Sequence, residues 1–208
     1  MLPALRRPRS SFGALSRSSR RGVALFAALA VLGGSACDQT DPFRGVATSE
    51  NVITGLGMAA LSTGTTAPTA LDFFLRTAVR PAVDGSGGAN FQLALDVDAQ
   101  GRVLLIPVAA LLNTRVAPPT VGLVRSSIAF DQLGRAPTSG FVTDSTVTAA
   151  VGETWVVQIQ AGLCTFRDPL YGKLVVDGVN QQTGRLAVRF LFNANCGYRD
   201  LTEGVPRN

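Results

Sequence analysis

Short apolar runs of period two, each cut off by turn-forming residues, narrow most what this chain can fold into. The clearest is Phe91, Leu93, Leu95 and Val97, alternating with Gln92, Ala94 and Asp96. Successive side chains of an extended chain point to opposite faces, so such a run buries one face of a strand and wets the other. Asp98-Ala99-Gln100-Gly101 follows as a turn, then residues 103–108, rich in branched side chains. Together they predict a hairpin. The C-terminal part repeats the logic. Residues 174–179 run into Asn180-Gln181-Gln182-Thr183-Gly184, and Leu186, Val188, Phe190 and Phe192 form the return face. Between the hairpins, residues 121–130 follow the Pro118-Pro119 break. Alternation is weaker over 141–151, and Trp155, Val157 and Ile159 share a face over 153–161. Leu71, Phe73, Leu75, Thr77 and Val79 predict one further strand, stopped by Pro81.

Seven or eight such strands, with no amphipathic helix of three turns among them, make the expected fold mainly β. It is an antiparallel β-sandwich, immunoglobulin-like or jelly-roll-like, or else a barrel. The domain is expected over residues 70–208. Residues 37–69 read as a tether and irregular entry segment with one helical turn at 58–61, and residues 1–36 as a cleaved signal peptide.

That leader has three parts. The first 22 residues hold six arginines and no acid, residues 23–32 are apolar, and Gly33, Gly34, Ser35 and Ala36 are small. A basic start, a short apolar core and a small-residue exit form a secretory signal. Ten apolar residues are too few to cross a bilayer, which takes about 20. Gly34-Ser35-Ala36-Cys37 resembles the lipobox of bacterial lipoproteins, in which the cysteine receives lipid and becomes the new N-terminus. The family usually has Leu where Gly34 stands, and Gly34-x-Ala36 also suits an ordinary signal peptidase. The resemblance covers four residues and implies an address: the cell envelope, extracytoplasmic, with a lipid anchor in the membrane at Cys37. Ser19-Arg20-Arg21 also resembles the start of a twin-arginine signal, without the Phe and Leu that family prefers at Val23 and Ala24.

Removing 36 of the 208 residues changes the charge. Six of the 19 basic residues and none of the 14 acidic ones precede Cys37, so 13 basic residues face 14 acidic ones in the remainder, a net −1. A near-neutral chain lacks the basic footprint that phosphate backbones require, which argues against nucleic-acid binding. With Cys37 lipidated, Cys164 and Cys196 are an even pair in an oxidising compartment and predict one disulfide.

The chain has no histidine. Ser–His–Asp and Cys–His nucleophiles are thereby excluded, as are His-containing metal sites. Its one lysine, Lys173, reads as a solvated surface charge. Carboxylate pairs remain for acid–base work: Asp96 with Asp98, Asp168 with Asp177, Asp200 with Glu203. Asp96-Val97-Asp98-Ala99-Gln100-Gly101 resembles the opening of an EF-hand calcium loop, but Pro107 occupies the position of the closing glutamate. Gly55-Leu56-Gly57-Met58-Ala59-Ala60 has the GxGxxA spacing of a dinucleotide loop without the strand and helix that motif needs. No metal or cofactor is expected. Tyr198, Arg199 and Asp200, in a polar tail beside Cys196, form a candidate partner-facing patch, since Tyr and Arg are enriched at hot spots. The plainer reading of that tail is a disulfide-fixed loop whose Asn193 and Asn195 satisfy local backbone.

Two functional expectations follow. The first is a non-catalytic envelope protein, structural or protein-binding, including an accessory subunit on the outer face of a membrane complex. The second is a small-ligand carrier or carboxylate-based hydrolase that uses a groove of the β domain.

Overall fold

In chain order the strands are β1 (Ile53–Ala59), β2 (Ala70–Asp72), β3 (Thr77–Val79), β4 (Leu93–Val97), β5 (Val103–Pro107) and β6 (Thr120–Ser126), with a short helix α1 (Val108–Leu112) after β5. They continue as β7 (Val142–Thr143), β8 (Val147–Ala149), β9 (Thr154–Gln160), β10 (Leu170–Asn180) and β11 (Arg185–Asn193). The computed structural model describes residues 46–84, 88–112, 119–160, 162–164 and 166–207; the leader and Cys37 lie outside them. One sheet has the order β1-β11-β10-β9-β6-β7, the other β3-β2-β4-β5-β8. Neighbours pair antiparallel throughout.

Alternation explains how the sheets meet. Leu71, Phe73, Leu93, Leu95, Val103 and Leu105 come from the smaller sheet and its turn. They share one buried core with Leu123, Val157, Ile159, Leu174, Val188, Phe190 and Phe192 of the larger sheet. The Phe73 ring stands edge-on to Phe190 at 5.5 Å and tilted against Phe192 at 5.6 Å. Such aromatic pairs add about 0.5–1.5 kcal/mol beyond their buried area. The edges β1, β7, β3 and β8 remain unjoined, so the fold is an antiparallel sandwich and not a closed barrel.

Two sequence expectations are corrected. Residues 71–79 are a tight hairpin rather than one strand. Asp72 Oδ1 accepts from the amides of Phe74 (2.9 Å) and Leu75 (3.1 Å), and Arg76 takes a φ of 53°. A carboxylate that bonds its own following amides competes with continued extension. The entry segment is not irregular either. Its residues 53–59 form β1, which pairs with β11 from Ile53↔Leu191 to Ala59↔Arg185. Leu56 and Met58 face the core while Gly55 and Gly57 take the outward positions. Pairing along a strand also displaces the helical turn expected over 58–61 to a 3-10 turn at Leu61–Thr63 and removes any dinucleotide loop at Gly55–Ala60.

The far edge of β1 is met by the chain itself. Gly204 exchanges both backbone bonds with Asn51, at 2.8 and 3.0 Å. Glu203 Oε1 accepts from the Ile53 amide at 3.4 Å, and the Pro68 carbonyl accepts from the Ala59 amide at 2.9 Å.

Unlike the usual half-wet antiparallel sheet, the larger sheet is also covered over part of its outer face, while Asp177, Arg185 and Ala187 stay exposed there. Val156, Tyr171, Val175 and Leu191 point away from the sandwich core and are buried under Phe130, Leu133, Ala136 and Leu201. The covering comes from residues 127–141 and from the tail after β11. Cys164, in the β9–β10 connection, and Cys196, just past β11, form the expected disulfide with Cα atoms 5.7 Å apart. Their strands are not adjacent: β10 runs between them.

Candidate functional site

The ionisable groups concentrate under and around this outer covering. Lys173 lies on the outward face of β10, three residues into the strand, and is 3% exposed. Its Nζ donates to the carbonyls of Phe130 (2.7 Å) and Leu133 (2.9 Å) and sits 4.7 Å over the Phe130 ring. Burial pushes the ammonium below its ordinary pKa, against the pull of Asp131, Glu203 and Asp200. The expectation of a solvated Lys173 is therefore wrong, because a loop with no regular element covers the strand. Next to it, Arg189 forks onto Asp177 through Nε (2.8 Å) and Nη2 (2.9 Å), and Nη1 reaches Asp131 at 3.0 Å. The Asp177 bonds raise the guanidinium pKa further above its usual value. These cations stitch the 127–136 segment to the sheet.

The tail forms a second polar centre. Asn195 Oδ1 accepts from the amides of Thr48 (2.7 Å) and Ser49 (3.1 Å), and its Nδ2 donates to the Ser49 carbonyl at 2.8 Å. Asn193, fully buried, accepts from the Asn195 amide at 2.9 Å and donates to the Asp200 carbonyl at 2.8 Å. Asn51 Nδ2 donates to the carbonyls of Asp200 (3.1 Å) and Thr202 (2.9 Å). Asparagine side chains thus clasp the incoming chain to the outgoing one, as the plainer reading of the tail expects.

Tyr198, Arg199 and Asp200 do not make one exposed patch. Tyr198 is 5% exposed, and Arg199 turns inward to donate Nε and Nη2 to the Ala136 carbonyl. Asp200 points into a cleft of about 820 Å³ lined by Arg135, Thr202, Glu203 and Arg207. Partial burial raises its pKa, but the Arg207 amide (2.7 Å) and the Thr202 amide and hydroxyl (2.8 and 2.6 Å) outweigh this and hold it lower than usual. An ionised, hydrogen-bonded carboxylate is a poor general acid.

The other carboxylate pairs are far apart or engaged in the fold. Asp168 precedes β10 and Asp177 lies late in it, which places them roughly 30 Å apart at strand rise. Asp96 Oδ1 accepts from the Ser62 amide (2.9 Å) and hydroxyl (2.6 Å). Asp98 caps its own turn, accepting from the amides of Gln100 and Arg102 at 2.9 Å and from Arg102 Nε at 2.7 Å. Asp98 thus serves the hairpin that the alternation predicts, while Asp96 holds the β1–β2 connection against it. Among the described residues no group of three or more acids or cysteines is arranged to hold a metal ion, and no helix is long and apolar enough to cross a membrane.

One feature escaped the reading of the sequence. A pocket of about 330 Å³ is lined by Val124, Leu133, Pro137 and Val156 together with Arg125, Arg135 and Arg199, of which Arg125 is paired with Glu153 at 3.0 Å and Arg199 with the Ala136 carbonyl. Those arginines are scattered over 75 positions of sequence, and no local motif joins them. In comparisons with known proteins, no family model matches this chain, and neither does any curated protein or solved structure.

Proposed function

We propose that this chain is an exported, lipid-anchored protein of the cell envelope whose β-sandwich is non-catalytic, lending structure or binding another protein. Docking as an accessory subunit on the outer face of a membrane complex falls within this reading. The observation that carries it is the Cys164–Cys196 disulfide. Such bonds persist where thiols are not kept reduced, which agrees with the basic leader, its apolar core and the small residues before Cys37. The non-catalytic part is supported by what the ionised groups do. Lys173, Arg189, Asp98 and Asp200 are engaged in holding backbone or one another.

Fractionation of cells producing the full chain tests the reading, together with the mass of the N-terminal peptide. The expected result is membrane-bound protein with lipid on Cys37, and soluble extracytoplasmic protein after Cys37→Ser. A wild-type chain recovered without lipid and wholly soluble overturns it. Since one acyl chain alone binds marginally, stable anchoring is expected to need more than one chain or a partner.

The pocket that sets Arg135 beside Val124, Leu133 and Val156 favours a second reading, a carrier of a small amphipathic anion. It predicts that octanoate raises the melting temperature while acetate does not.

A further inference from the structure

Among the described residues, the four most exposed large apolar side chains are Val46 (88%), Leu75 (72%), Phe166 (70%) and Leu163 (69%); Val205 follows at 58%. All four lie at one end of the sandwich. β9 ends and β10 begins there, which places Leu163 and Phe166. The 73–76 turn lies there too, because the Phe74 ring is 5.7 Å from that of Phe192 near the end of β11. Val46 leads into Thr48 and Ser49, which Asn195 holds beside Cys196. Arg76 Nη2 donates to the Glu50 carbonyl at 2.9 Å and ties the turn to this entry. At the opposite end, the β4–β5 and β10–β11 turns meet around Ser62, Thr63, Asp98, Gln181, Gln182 and Thr183, a mostly polar lining that includes one carboxylate.

A lone exposed leucine is ordinary; a concentration of apolar tips at one end of a domain marks an interaction surface. We propose that this end rests on a lipid bilayer, with Leu75, Leu163 and Phe166 entering the interface. The tips stand on separate turns rather than on one flat patch, and a protein partner favours a packed, continuous core. Each turn pairs an apolar tip with a cation, Leu75 with Arg76 and Phe166 with Arg167, which suits the boundary between acyl chains and phosphates. Glu50 and Asp168 at the same end offset the arginines, so apolar contact leads. Asp72 is already engaged with its own turn. The place where the chain enters points the same way. Cys37 stands nine residues before Val46, a reach of at most about 30 Å. In this respect the inference rests on the lipid-anchor reading, which brings this end, and not the polar one, to the membrane.

The test uses Leu75→Trp, Phe166→Trp and, in the turn between β8 and β9, Val151→Trp, each in the full chain as processed by the cell. Each variant is checked for the parent's melting temperature. The proteins are reconstituted into phosphatidylethanolamine and phosphatidylglycerol vesicles with or without brominated lipid, and the emission of buried Trp155 is subtracted. Contact with the acyl boundary roughly halves the emission from positions 75 and 166 and leaves 151 unchanged. Equal emission at all three, with lipid present on Cys37, overturns the proposal and leaves the anchor standing. If Cys37 carries no lipid, the same vesicles are added to the soluble chain, and quenching at 75 and 166 supports the proposal while its absence overturns it. A co-purifying protein that shields both positions from the quencher also overturns it, in favour of a protein interface.

Discussion

Lys173 and Phe130 hold each other across two layers: the ammonium donates to the Phe130 carbonyl at 2.7 Å and lies 4.7 Å over the ring of the same residue. A second bond to Leu133 makes this lysine the pin that fastens the outer covering to β10. Lys173→Met keeps the apolar stem and strands two buried carbonyls, each costing about 1–3 kcal/mol. Relief of a desolvated charge offsets part of this, so the expected net loss is about 1–3 kcal/mol by denaturant melt. The variant also separates cause from coincidence by pH. Burial lowers the folded-state pKa of Lys173, so below 10.5 there is a window in which the unfolded chain holds the proton and the folded one has released it. Stability of the parent therefore rises with pH through that window, and this gain is absent from the variant.

The disulfide closes a loop that contains the whole β10–β11 hairpin. In the unfolded chain the bridge restricts that segment, and its removal is expected to cost about 2–5 kcal/mol. At about 2–4 °C per kcal/mol for a domain of this size, the Cys164→Ser, Cys196→Ser double variant should melt roughly ten degrees lower. Non-reduced peptide mapping checks the pairing itself.

Asn195→Ala removes the acceptor of the Thr48 and Ser49 amides. At about 0.5–1.5 kcal/mol per bond, a loss near 2 kcal/mol is expected. Hydrogen exchange locates the effect: the amides of Thr48 and Ser49 should lose protection, while the β4–β5 amides keep theirs.

Two glycines give opposite outcomes. Gly184 has a φ of +63°, and a Cβ there would meet Thr63 Cγ2 at 2.2 Å. The Thr63 hydroxyl is bonded to the Ala60 carbonyl at 2.6 Å and resists moving. Gly184→Ala should destabilise by more than about 1 kcal/mol. Gly57 has open space where a Cβ would stand, and Gly57→Ala should change the melting temperature little or raise it.

What could be read from the residues was what alternation encodes. The β4–β5 and β10–β11 hairpins follow from apolar positions two apart, flanked by Asp98–Gly101 and Asn180–Gly184. β1 was hidden because Gly55 and Gly57 supply no polar contrast to Leu56 and Met58. The split of residues 71–79 depends on a bond between Asp72 and amides two and three residues on, which the period-two pattern does not reveal. Lys173 looked solvated because nothing in residues 127–136 announces that they fold back over a strand. Likewise Tyr198 carries no mark of burial, since the contacts of its loop come from Ser49 and Asn51, about 150 positions away.

The capped edge of β1 has a consequence for solubility. A long edge strand is a template on which a second chain can extend the sheet, and such growth begins aggregates. Here Gly204 and Glu203 occupy one end of that edge and Pro68 the other, so the open stretch is confined to the middle, around Gly55 and Gly57. So short an open stretch is a poor template for a foreign strand. The last residues of the chain thus act as a guard on the first strand, and clipping the tail before Glu203 would turn a quiet edge into a sticky one.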